Sequence, residues 1–152
     1  MNEAIIKNFN ETIDSNDHLY LLGDIFLGEL EAGIELFKRL PGKKHLVWGN
    51  HDTDRRKEAM LNPLYDVVGT FGYAGMIKYK KWHFYFSHFP TCTTNFDDYQ
   101  RPLGQRTLCL AGHTHSKELF EPCGSYNVAV DAHNCYPVSL EQIMEDFKEK
   151  YS

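Results

Sequence analysis

The stretch LCLAGHTHSKE, residues Leu108 to Glu118, is a short apolar run closed by Gly112 and followed by two histidines one residue apart, His113 and His115. An apolar run of this length, bounded by glycine, reads as a buried strand. Polar residues directly behind such a run sit where open α/β sheets place their ligand sites, beyond the carboxyl ends of the strands. Alternate residues of a strand point the same way, so His113 and His115 are expected to face one ion or two adjacent ions.

The same plan recurs upstream. HLYLLGD ends in Gly23 and Asp24, KHLVWGNHD ends in Asn50, His51 and Asp52, and WHFYFSH ends in His88. Taken singly, each ending has a plainer reading. Gly-Asp after a strand serves as a turn or helix cap, GNHD is built from residues that turns prefer, and one histidine in an apolar run packs and hydrogen-bonds inside a core. What turn chemistry does not explain is their repetition at the ends of successive apolar runs. Imidazole nitrogen together with carboxylate and amide oxygen suits a divalent ion such as Mn2+, Fe2+, Zn2+, Co2+ or Ni2+, and the absence of cysteine from the set argues against a purely structural zinc.

Working outward, Ala4, Ile5, Phe9 and Ile13 predict an amphipathic helix ending near Asp14, and Leu30, Ile34, Phe37 and Leu40 predict a second. Residues Thr53 to Leu61 read as a third helix, and VSLEQIMEDFKEKYS as a closing one, with Ser139 and Gln142 suited to a capping box. YDVVGTF, AGMIKYKK, WHFYFSH, RTLCLAGHTH and YNVAVDAHN read as strands. The segment Phe89 to Gln105 reads as a long surface loop whose Phe96, Tyr99 and Arg101 either stack on a base and hold a phosphate or pack against the body. Alternating β and α elements followed by a strand-rich half predict a layered α/β sandwich, in one domain spanning residues 1–152. A chain of this size buries about 70% of the surface its unfolded form exposes, enough for a real core.

A net charge of -5 and a pI near 5.9 exclude a general electrostatic hold on nucleic acid, which needs a basic stripe. The basic residues Lys43, Lys44, Arg55, Arg56, Lys57, Lys78, Lys80 and Lys81 read as solvated surface. No apolar stretch approaches the ~18 residues of a membrane span, and MNEAIIKNFNE lacks a signal peptide's basic and apolar blocks, so a cytoplasmic location is expected. The four cysteines match no zinc or redox spacing and read as reduced thiols.

In order and spacing, GD, GNHD, SH and GHTH resemble the calcineurin-like metallophosphoesterase superfamily, over about Asp14 to Pro137. The resemblance implies two layers of sheet flanked by helices, and two metal ions ~3.5 Å apart that clamp a phosphoester and activate a water for in-line attack. By that resemblance Asp24 is the carboxylate that bridges the ions, Asn50, His88 and His113 complete the second metal's shell, and His115 is a ligand of the first. His51 matches the histidine that contacts the substrate phosphate and protonates the leaving oxygen, a task imidazole suits. The expected cofactors are one or two divalent ions, Mn2+ first, and the expected partner is a phosphodiester or nucleotide-like phosphomonoester substrate.

The chain departs from the family pattern at its start, where members carry a strand ending in D-x-H that completes the first metal site. Two expectations follow. Either Met1 is an internal start in a longer frame whose upstream ~25 residues supply the strand, or the chain is naturally short, has one strong metal site and is a weak hydrolase. The alternative to an enzyme is a catalytically weak or inactive metal-binding module that keeps the scaffold.

Overall fold

A computed structural model describes residues 2–26, 28–92 and 95–151. Helix α1 (Asn2–Thr12) buries Ile6 and Phe9. It is followed by β1 (His18–Leu22), α2 (Leu30–Lys38), β2 (Lys43–Val47), α3 (Asp54–Met60) and β3 (Val67–Thr70), whose strands lie in the order β1-β2-β3, all parallel. Strand β1 pairs with β2 on one side and forms an edge of this sheet among the described residues.

The second sheet begins with a tight hairpin. β4 (Ala74–Tyr79) and β5 (Trp82–Ser87) are antiparallel, joined by Lys80 and Lys81, which both take positive φ, 49° and 71°. Two left-handed residues give a loop the twist that matches its flanking strands. β6 (Thr107–Ala111) then runs parallel to β5, β7 (Tyr126–Asn127) parallel to β6, and α4 (Leu140–Tyr151) closes the chain.

Strand alternation builds the core that joins the sheets. Phe84 and Phe86 of β5 and Leu108 and Leu110 of β6 pack with Tyr126, with Leu22 and Val47 of the first sheet, and with Ile143, Met144 and Phe147 of α4. A second core places Phe37 of α2 and Met60 of α3 against Leu46 and Trp48. Each fully buried side chain of this kind contributes about 1.5–3 kcal/mol of transfer free energy. The described residues thus form the layered α/β fold that the strand and helix pattern predicts, with two sheets and four α-helices. No helix among them is long and apolar enough to cross a membrane.

The structure corrects four local readings. β6 stops at Ala111, so Gly112 to His115 lie in a loop and strand alternation does not orient the two histidines. YNVAVDAHN is a strand for two residues only, because the Asn127 side-chain oxygen accepts the Ala129 N–H at 3.0 Å and turns the chain into a 3₁₀ turn at Val130–Ala132. Half of the capping box forms. Ser139 Oγ accepts the Gln142 N–H at 3.1 Å, while the Gln142 amide donates to Asp146 at 2.9 Å instead of reaching back.

The fourth concerns charge and the long loop. Lys44 is buried, its ammonium donating to the Tyr65 carbonyl at 2.8 Å and the Gly42 carbonyl at 3.2 Å, and burial lowers its pKa. Arg56 is equally occupied, as described below, so neither is solvated surface. In the loop, Phe96 abuts Gly124, Tyr99 lies over the Arg106 guanidinium and beside Tyr151, and Arg101 pairs with Asp98. Phe96 packs against the body, whereas Tyr99 stays 70% exposed and Arg101 is held within the loop itself; residues 93 and 94 lie outside the described residues.

Candidate metal centre

The loops that follow β1, β2, β5 and β6 converge on one buried ring. His88 is 1% exposed, and its Nδ1 lies 2.9 Å from the Leu22 carbonyl at the end of β1. A carbonyl only accepts, so Nδ1 carries the proton and donates, and in the neutral ring Nε2 is left with a lone pair. Around that nitrogen stand His113 Nδ1 at 2.8 Å, Asn50 Oδ1 at 3.0 Å and Asp24 Oδ2 at 3.1 Å.

One proton at most can satisfy the Nε2 lone pair, and an ionised carboxylate has none to give. With His88 neutral, the Asp24 oxygen faces a nitrogen that carries no proton, an arrangement that repels itself in water-poor surroundings and becomes attractive around a cation. The spacing fits as well: bonds of ~2.1 Å to nitrogen and oxygen give ligand–ligand edges of about 3.0–3.4 Å in octahedral or tetrahedral geometry. Asp24, His88 and His113 are the one group of at least three His, Cys, Asp or Glu among the described residues whose ligand atoms all lie within 4.8 Å of one another. Phe89 walls the cluster, its ring centroid 4.7 Å from that of His113.

Local sequence makes the convergence possible. Asp24 sits at φ 47°, a left-handed conformation that costs an L-residue about 1–2 kcal/mol. It is held there by Asp52, 5% exposed, whose carboxylate accepts the Asp24 N–H at 2.9 Å and the Gly49 N–H at 2.8 Å. A Cβ on Gly49 would stand 2.4 Å from Asp24 Oδ1, so only glycine lets the GD and GNHD turns approach this closely. That same Oδ1 accepts the His51 N–H at 2.7 Å, while Oδ2 is the oxygen beside His88.

A profile of the calcineurin-like phosphoesterase superfamily domain matches residues 1–130. The chain belongs to the calcineurin-like phosphoesterase superfamily. An uncharacterised protein of Methanocaldococcus jannaschii is 30% identical over 155 aligned positions, which cover 95% of this chain and 74% of the relative. Among solved structures, a protein of unknown function from Aquifex aeolicus superposes with a TM-score of 0.68 at 22% identity, covering 95% of this chain and 83% of that one. A novel archaeal phosphodiesterase superposes with a TM-score of 0.52 at 18% identity, covering 84% and 76%. At these identities the two structures show the shared fold.

On this phosphoesterase scaffold the motif residues divide. Asp24, Asn50, His88 and His113 meet around one point. His51 is exposed and joined to Asp24 through its backbone N–H, while its carbonyl accepts from Arg56 at 3.0 Å. Arg56 also donates to the Phe26 carbonyl at 3.2 Å and the Gly28 carbonyl at 2.6 Å, so it ties the loop after β1 to the GNHD turn. His115 stands apart from the cluster, with Nδ1 3.1 Å from Asp131 Oδ2. The sequence patterns did not single out Asp131, and they placed Arg56 among solvated surface residues. Arg56 follows GNHD closely enough to be found as a neighbour of the motif, whereas Asp131 lay inside a presumed strand.

Proposed function

We propose that the chain is a metal-dependent phosphoester hydrolase acting on a phosphodiester or nucleotide-like phosphomonoester, with Asp24, Asn50, His88 and His113 holding a divalent ion, Mn2+ first. The observation that carries this reading is the carboxylate oxygen 3.1 Å from an imidazole nitrogen whose proton is committed elsewhere. When bound, the ion supplies Lewis acidity toward the phosphoester and its attacking water.

The donors set the electrostatics. One carboxylate and three neutral groups leave a divalent site with net positive charge, which suits an anionic substrate. Arg56 is spent on three backbone carbonyls, so that positive charge, not this guanidinium, is what the cluster offers a phosphate. Asp24 Oδ1 is held by the His51 N–H, which orients Oδ2 toward the other donors. The same bond ties the His51 backbone to the cluster, and in this reading its exposed imidazole donates a proton to the departing oxygen.

The test uses two substrates. His51→Ala should lower turnover of an ester with a poor leaving group by ~10² to 10⁴, and hurt an activated aryl ester much less, with metal content unchanged. Equal losses on both would make His51 a phosphate-orienting residue. Absence of hydrolysis of either ester by the Mn2+-loaded wild type would favour the metal-binding module over the enzyme.

A further inference from the structure

We infer that Asp131 is a positioning residue for His115, holding its Nδ1–H so that Nε2 is the nitrogen left free to bind a metal ion. The inference rests on the phosphoesterase reading of His115 given above.

The contact is 3.1 Å between His115 Nδ1 and Asp131 Oδ2. A carboxylate at that distance accepts, which places the ring proton on Nδ1. The same device operates at His88, where the Leu22 carbonyl takes the Nδ1 proton and Nε2 faces the cluster. A carboxylate acceptor adds negative charge, which fixes the tautomer more firmly and makes the opposite nitrogen a stronger donor to a metal.

The pair is built into the fold, although the His115 side chain is 76% exposed. Asn127 is 1% exposed and spends its whole carboxamide on the two segments involved. Its Nδ2 donates to the Ser116 carbonyl at 2.9 Å and the Glu118 carbonyl at 3.0 Å, directly behind His115. Its Oδ1 accepts the Ala129 N–H at 3.0 Å, directly ahead of the turn that carries Asp131. That turn is closed by Ala132 N–H to Ala129 O at 3.0 Å and His133 N–H to Val130 O at 3.1 Å, and anchored by His133 Nε2, 2.8 Å from the Asn127 carbonyl. One buried amide therefore pins both backbones. An unpinned exposed histidine would sample both tautomers and several rotamers.

The experiment uses the full chain stripped of metal, with the tautomer of each histidine read from ring ¹⁵N–¹H correlation spectra at a pH where the rings are neutral. His115 should be predominantly Nδ1–H in the wild type and should become a mixture in Asp131→Ala. Asp131→Asn keeps an accepting side-chain oxygen and should retain most of the Nδ1–H form. Mn2+ competition titrations should show the ion that depends on His115 weakened ~10- to 100-fold in Asp131→Ala, with rescue in Asp131→Asn and unchanged affinity at the His88 cluster. A wild-type His115 in the Nε2–H form, or Asn as damaging as Ala, overturns the inference. The tautomer reading needs no metal and no turnover, so it stays decisive even if no phosphoester is hydrolysed.

Discussion

Two pairs of touching histidines stand among the described residues, and they differ in what surrounds them. His88 Nε2 and His113 Nδ1 are 2.8 Å apart; His18 Nδ1 and His45 Nε2 are 2.7 Å apart. In the second pair one ring donates and the other accepts, and the contact is complete. His45 then stacks on Tyr20, centroids 4.4 Å apart, with Phe71 at 6.2 Å, so its neighbours are rings. In the first pair Asp24 and Asn50 add two oxygens to a nitrogen already approached by a neighbour. Two imidazoles in contact make a hydrogen bond. A carboxylate added to a lone pair with no proton to spare is what calls for a cation.

The largest expected effect breaks the first pair. His88→Ala should remove most of the metal bound by a Mn2+-loaded chain, and should cost about 2–4 kcal/mol in the metal-free protein through the cavity and the orphaned Leu22 carbonyl. His18→Ala should leave metal content unchanged and shift stability by no more than ~1 kcal/mol, since His18 is exposed. Elemental analysis and denaturant unfolding of both variants measure this. Equal metal loss would mean that the oxygens around His88 are not what distinguishes the pairs.

A smaller loss should come from the support of the cluster. Asp52→Ala leaves the N–H groups of Asp24 and Gly49 without their shared acceptor, at a cost of about 2–3 kcal/mol in the metal-free chain. Asp52→Asn can still offer one oxygen and should cost less. Gly49→Ala should cost roughly 1–3 kcal/mol, because its Cβ would meet Asp24 Oδ1 at 2.4 Å and the two turns must part. If all three variants unfold at the wild-type denaturant midpoint, the turns are not held by these contacts.

How much of this could be read from the chain follows from where the partners lie. GD, GNHD and GHTH are legible because their glycines and ligand-type side chains stand together in sequence, each behind an apolar run that becomes β1, β2 or β6. Lys44 and Arg56 were misread because their partners are backbone carbonyls, at Gly42 and Tyr65 for one and at Phe26, Gly28 and His51 for the other. Backbone carbonyls leave no mark in sequence. Asp131 was hidden by a β-rich stretch that Asn127 diverts into a turn, a local side-chain bond that outcompeted the sheet. His18 and His45 gave no signal as a pair, since it is the parallel register of β1 and β2 that sets Tyr20 opposite His45 and brings His18 alongside.

The last and smallest effect tests the second pair through pH. Burial lowers the pKa of His45 below its ordinary 6.5, and the neighbouring His18 lowers it further. Near that ordinary value the unfolded chain takes up a proton that the folded chain still refuses, so the unfolded state binds more protons and stability falls as pH falls. The contribution is fully present above about pH 6.5 and is lost as pH drops through the lowered His45 value. Glu3 and Glu141, both held below 4.5, by the Arg39 and Tyr79 hydrogen bonds respectively, act only in more acid solution and leave this window clear. The quantity to measure is a difference that isolates His45: unfolding free energy of wild type minus His45→Phe, between pH 7.5 and 5, in chelator. The wild type should lose more stability than the variant over that range, and His18→Ala should lose an intermediate amount, because burial still acts on His45 when its neighbour is gone. Parallel curves for wild type and His45→Phe would mean that this pair releases its strain on protonation at no cost to the fold, and the contrast with the His88 pair would then rest on metal alone.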